Sequence, residues 1–110
     1  MLGTMYNVIG SALKYLGFSV NSDGEGELMM AKEVLLRQKP WVMAYDSYPK
    51  RLIFEEEVLV AQTWVGDAWF YHLELEAIKG ALPPEGTLMG IDSLVVPKGA
   101  VLQEILDNWE

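Results

Sequence analysis

The sequence predicts an α/β fold, a sheet covered on both faces by helices. Three observations predict it. Stripes of apolar residues at helical spacing alternate with short, nearly continuous apolar runs. Turn signals are spread evenly, with no repeat, low-complexity stretch or long linker. The length of 110 residues supplies one core but not two lobes with a cleft between them, since compact domains most often run about 100–150 residues.

The first helix is expected over Asn7 to Leu16, where Val8, Ile9, Ala12, Leu13 and Leu16 form one apolar stripe. Gly17 follows where a left-handed residue is needed, and Thr4 or Asn7 can cap the start. A polar turn over Asn21 to Gly26 leads to a second helix, Glu25 to Gln38, with Ser22 or Asp23 as its cap. Pro40 ends it. Trp41 to Tyr45 reads as a short strand. Asp46-Ser47-Tyr48-Pro49 is a cap followed by proline, so a short helix is expected over Pro49 to Glu56. The strongest strand is Val58 to Trp64, whose first four residues are uninterruptedly apolar, as in a strand buried on both faces. Gly66-Asp67 makes a turn, and Asp67 can cap a helix from Ala68 to Ile78. Ala81-Leu82 is a short strand before the Pro83-Pro84-Glu85-Gly86 turn. Leu88 to Val96 is apolar apart from Asp92 and Ser93, and Val101 to Asn108 makes a last helix.

Composition removes whole classes of function. Sixteen acidic against eight basic residues give a net charge of −8, which repels nucleic acid and anionic lipid. With 51% hydrophobic and 22% charged residues the chain is not disordered. Having no cysteine, it forms no disulfide or Cys-based zinc site, and one histidine, His72, cannot build a multi-His metal site. No apolar run reaches the roughly 20 residues that cross a membrane, so membrane insertion is not expected. The N-terminus carries neither the basic nor the apolar region of a signal peptide, which fits a cytosolic chain or a mature or excised piece of an exported one. Phosphate-loop and nucleophile-elbow motifs do not occur. No catalytic set, metal or cofactor is expected.

In open α/β sheets ligands bind beyond the carboxyl ends of the strands. That rule singles out Tyr45-Asp46, Trp64 to Asp67, and Met1 to Thr4. Trp64-Val65-Gly66-Asp67 puts an aromatic wall beside a carboxylate, a pairing that suits an organic cation. The plainer reading makes Trp64 a core residue and Asp67 a helix cap. Asp92 interrupts an apolar stretch, and a buried carboxylate needs a partner. It either faces a ligand or bonds locally with its own backbone in a turn. His72 reads as a solvated surface residue. Trp69-Phe70-Tyr71 spreads around most of a helix, so at least one of the three is exposed or buried in a partner.

Joined together, several segments resemble the spermidine/putrescine-binding proteins, the extracytoplasmic receptors of polyamine ABC importers. They are Val8 to Ser22, Ala31 to Leu36 with Lys39-Pro40, Tyr45-Asp46-Ser47, Val60 to Asp67, Pro84 to Thr87 and Ile91 to Ala100. The resemblance implies a flavodoxin-like lobe of a type II periplasmic binding protein, a three-layer sandwich with a central, mainly parallel sheet flanked by helices. The whole of residues 1–110 then corresponds to the second lobe alone. Its partners would be the polyamine, the first lobe and the ABC permease, with a periplasmic or extracytoplasmic location for the parent protein. The resemblance carries over Trp64, whose ring packs on polyamine methylenes, and Asp67 and Asp92, whose carboxylates bind ammonium groups. Thr4 and Asn7 stand where the family usually has acids, and Gly90 where it commonly has an aromatic. An isolated lobe, naturally diverged or engineered, fits such departures. One wall of a cleft leaves a ligand half in water, so weak binding by the lobe alone is expected. The alternative is a self-associating flavodoxin-like scaffold, a homodimer that binds no ligand.

Overall fold

The computed structural model describes residues 1–93 together with Val95 and Lys98. In chain order it contains α1 (Met5–Tyr15), α2 (Glu25–Gln38), a 3-10 turn (Lys39–Trp41), α3 (Lys50–Phe54) and α4 (Val65–Glu74). The expected sandwich with a central parallel sheet is overturned: among the described residues there is no strand and no sheet. The last helix expected, Val101 to Asn108, lies outside the described residues.

The best-formed part is the pair α1–α2. The α1 stripe places Ala12 and Leu13 against Ala31 of α2, with Ile9, Leu16, Phe18, Val34 and Leu35 packed around them. Leu13 is 1% exposed. The end of α1 is set by Gly17 at φ 84°. Gly17 N donates to the Lys14 carbonyl and Phe18 N to the Leu13 carbonyl, both at 2.9 Å. Phe18 then folds onto the core, as this left-handed ending favours. Glu25 and Glu27 in the first turn of α2 and Arg37 in its last turn complement the helix dipole. Neither Ser22 nor Asp23 caps it. Gly24 holds that place, and the Ser22 hydroxyl bonds to Glu27 instead.

The missing sheet has a local explanation. Met1 N donates to the Ala44 carbonyl at 3.0 Å, and Asp46 N donates to the Met1 carbonyl at 2.8 Å. That is one rung of a parallel ladder. The next amides leave the backbone pattern. Leu2 N reaches the Gln62 side-chain oxygen at 3.4 Å, Gly3 N reaches Ser47 Oγ at 3.2 Å, and α1 begins at Met5. The other expected strand, Val58 to Trp64, faces the 41–46 run across a groove of about 510 Å³. Its apolar side chains are not buried, with Leu59 100% and Val60 88% exposed. The Leu88 to Val96 run is likewise unpaired where described, and Leu88 lies over Gly10 of α1.

The helices at the far end are short. Just past α3, Glu56 takes the left-handed conformation at φ 56°, a shape that costs a non-glycine residue roughly 1 kcal/mol. It lets Glu57 N reach the Leu52 carbonyl at 2.9 Å and closes the helix. α4 begins at Val65, with Trp64 as N-cap and Asp67 inside the first turn, so Asp67 is not the cap. Its end is tied by His72, whose Nδ1 lies 2.8 Å from the Ile78 carbonyl oxygen. His72 is half-buried and not simply solvated. The Cα radius of gyration is 18.0 Å, against about 13 Å for a compact domain of this length.

Candidate functional site

Two of the three segments that the strand-end rule singles out, Met1 to Thr4 and Tyr45-Asp46, meet, and Gln62 ties the run before the third to the first. The rung between Met1 and the Ala44–Asp46 backbone and the bond from Gly3 to Ser47 place the start of the chain on the 44–47 loop. Gln62 makes its tie through both polar atoms of the side chain. Its Oε1 accepts from Leu2 N, and its Nε2 donates to Ser11 Oγ of α1 at 2.7 Å. One side chain thus fastens the run leading to Trp64 onto both the N-terminal segment and α1.

The head of α4 supplies the ring and the acid. Trp64 is 43% exposed, so its indole is neither a core group nor free on all sides. Asp67 is half-buried in the first turn, where the helix dipole favours a negative charge. Tyr71 lies one turn further along the same face. It is buried, with its ring edge-on to Phe54 at 6.0 Å between centroids. Burial pushes the Tyr71 phenol above its ordinary pKa, and the nearby charges of Asp67 and Asp46 push the same way. The Thr63 hydroxyl and the Lys50 ammonium oppose that shift. Thr63 Oγ1 is itself buried and has no partner in hydrogen-bond geometry among the described residues. Neither Asp46 nor Asp67 is in a salt bridge there.

Asp46 is held by its own loop. Its Oδ1 accepts from Tyr48 N at 2.8 Å, a local turn that leaves the other oxygen for a further donor. The Met1 ammonium beside it is lowered in pKa by burial, while the Asp46 charge works against that. At the head of α1, Asn7 Nδ2 donates to Thr4 Oγ1 at 2.6 Å. Thr4 is the N-cap residue but makes no side-chain cap bond. The two residues satisfy each other, and Asn7 is buried.

Of the five residues expected in the site, Trp64 and Asp67 share the first turn of α4 and its approach, and Thr4 and Asn7 share the start of α1. Asp92 is exposed on the separate 87–93 run, with no hydrogen bond to the other four among the described residues. Sequence reasoning left out Tyr71 and Gln62. The four-residue step from Asp67 to Tyr71 would have found the first. Nothing local marks Gln62, because both its partners lie more than 50 positions away.

A half-exposed indole three residues before a half-buried carboxylate that makes no salt bridge among the described residues is chemistry for holding an organic cation. Comparison with known proteins points the same way. The chain is similar to the putrescine/cadaverine-binding protein of Pseudomonas aeruginosa, at 32% identity over 101 residues, covering 84% of this chain and 28% of that protein. It is also similar to the spermidine/putrescine-binding periplasmic protein of Escherichia coli, at 32% identity over 98 residues, 88% of this chain and 28% of that protein. A third relative, the putrescine/agmatine-binding protein of P. aeruginosa, is 27% identical over 106 residues, 90% of this chain and 29% of that protein. The chain spans less than a third of the length of these relatives, whose names describe binding and not catalysis. No family model matches it, and no solved structure matches it. Among the described residues no helix is long and apolar enough to cross a membrane.

Proposed function

We propose that the chain is one lobe of an extracytoplasmic polyamine receptor that serves an ABC importer, and that it is not an enzyme. It contributes half of a cation-binding cleft. Trp64 stacks on the methylene chain, Asp67 and Asp92 take ammonium groups, and the Thr4 hydroxyl borders the same cleft with Asn7 buried behind it. The remaining lobe supplies the opposite wall, and the permease accepts the cargo.

The observation that carries this reading is the head of α4, where the half-exposed Trp64 stands three residues before the half-buried Asp67. The polyamine-binding names of the relatives support the ligand class. A single wall leaves the other face of the ligand in water, so this chain alone binds putrescine or spermidine with a dissociation constant of about 1 mM or weaker. NMR titration tests it. Putrescine at millimolar concentration shifts the Trp64 indole and Asp67 amide signals, and Asp67→Asn abolishes the shift. Micromolar binding to the monomer, or no shift at either residue at any concentration, would overturn the reading.

A further inference from the structure

Residues 58–63 form no regular element and bend at Leu59. Among the described residues, no amide or carbonyl of residues 59–63 takes part in a backbone hydrogen bond. Within residues 58–67, Gln62 alone has a side chain that hydrogen-bonds to the rest of the described chain. Leu2 N donates to its Oε1 at 3.4 Å, and its Nε2 donates to Ser11 Oγ at 2.7 Å. A carboxamide carries an acceptor and a donor on one planar group, which suits this pair of partners. Leu2 is buried, and Ser11 belongs to α1, the helix packed on α2. Thr4 stands two residues after Leu2, and Trp64 two residues after Gln62. Two residues of chain reach at most about 7 Å. The head of α1 and the ring at the head of α4, 60 positions apart in sequence, therefore both lie a short span from one hydrogen bond. The other ties of α4 lie further along it, Tyr71 on Phe54 and Glu74 on Lys50. They hold the body of the helix and leave its head to Gln62.

We propose that Gln62 is a positioning residue: it sets where the Trp64 ring stands against the head of α1, and so the width of the cleft offered to a cation. The proposal rests on the reading of Trp64 as the ring that faces the ligand. Gln62 acts through Trp64, because its own amide is turned to Leu2 and Ser11. Without that tie the ring samples several positions, and only the fraction in the productive one binds at full strength. A ring held at one distance from Thr4 favours the diamine whose methylene chain fits that gap. A loose ring accepts several lengths and binds each of them more weakly.

Three variants test it. Gln62→Met keeps the length of the side chain and removes both bonds. Gln62→Glu keeps both at neutral pH, since a carboxylate accepts from Leu2 N and from the Ser11 hydroxyl. Ser11→Ala suits a helix interior and removes the shorter bond from the other side. NMR of the ligand-free chain reads the Trp64 indole signal. It moves in Gln62→Met, moves part of the way in Ser11→Ala, and returns toward its wild-type position in Gln62→Glu. The amide of Ala31, buried in the α1–α2 core, keeps its place in all three. In a putrescine titration the initial slope of the indole shift falls roughly fivefold in Gln62→Met, as the productive fraction drops. An indole signal or a putrescine slope unchanged in Gln62→Met, a Gln62→Glu that behaves like Gln62→Met, or an Ala31 amide that moves along with Trp64 would overturn the proposal. A wild-type indole that ignores putrescine sinks the polyamine reading instead, and the ligand-free spectra then decide the role of Gln62 by themselves.

Discussion

The α1–α2 pair and the 41–64 region are both rich in apolar residues and differ sharply in space. In the pair, Leu13, Ala12 and Ala31 are each at most 4% exposed. In the other region Trp41 is 88%, Leu59 100% and Val60 88% exposed. The difference lies in where each backbone finds its hydrogen bonds. A helix satisfies its amides within four residues, so a stripe at helical spacing needs only a neighbouring stripe to bury it. An extended run has to find its partner elsewhere, and closing that distance costs chain entropy before any contact repays it.

The sharpest way to break that comparison is to cut equal amounts of side chain from each region. Leu13→Ala removes the most buried side chain of the helix pair and costs about 2–5 kcal/mol. Leu59→Ala removes the same atoms from a fully exposed position and costs less than about 0.5 kcal/mol. Urea denaturation followed by circular dichroism reads both. Equal losses would mean that Leu59 is buried in solution and the two regions are alike.

A smaller effect is expected at the one side chain that ties the regions together. Gln62→Ala frees Leu2 N and Ser11 Oγ, two bonds worth about 1 kcal/mol each. Hydrogen exchange should quicken at Leu2 and over the 58–64 run, while the inner amides of α1 keep their protection. Uniform quickening through α1 as well would show that the two regions open as one cooperative unit.

These particulars explain how much could be read in advance. The second helix, Glu25 to Gln38, was legible to the residue, and the first to within two positions at its start and one at its end. Gly17 took the left-handed place expected of it. Those signals are local. The sheet was read from apolar runs that have the right composition, but composition does not say which run pairs with which. Only the Met1 rung with Ala44 and Asp46 forms among the described residues. The site divides along the same line. Trp64 and Asp67 stand three residues apart at a helix start, a spacing the sequence itself displays. Asp46 was flagged by its place after an apolar run, and its charge has only a minor influence on the Tyr71 phenol. The link through Gln62 left no trace in the sequence.

The smallest effect at neutral pH, and the most specific to the site, concerns Tyr71. Its phenol has a folded-state pKa above the ordinary 10.0, chiefly because it is buried and next because Asp67 is near. Below pH 10 the phenol is neutral in both folded and unfolded chains and contributes no pH dependence. Above 10.0 the unfolded chain loses the proton first, so the folded state holds more protons and stability falls as the pH rises. Tyr71→Phe removes that part of the alkaline loss, which thermal unfolding at a series of alkaline pH values measures. Asp67→Asn takes away the second cause and moves the titration of the Tyr71 phenol down toward 10.0, read by ultraviolet absorbance of tyrosinate. The same carboxylate is the proposed seat of an ammonium group, so a bound diamine should act in that direction too, by offsetting the Asp67 charge. A phenol that titrates unchanged in Asp67→Asn would place Asp67 too far from Tyr71 to share a site with it.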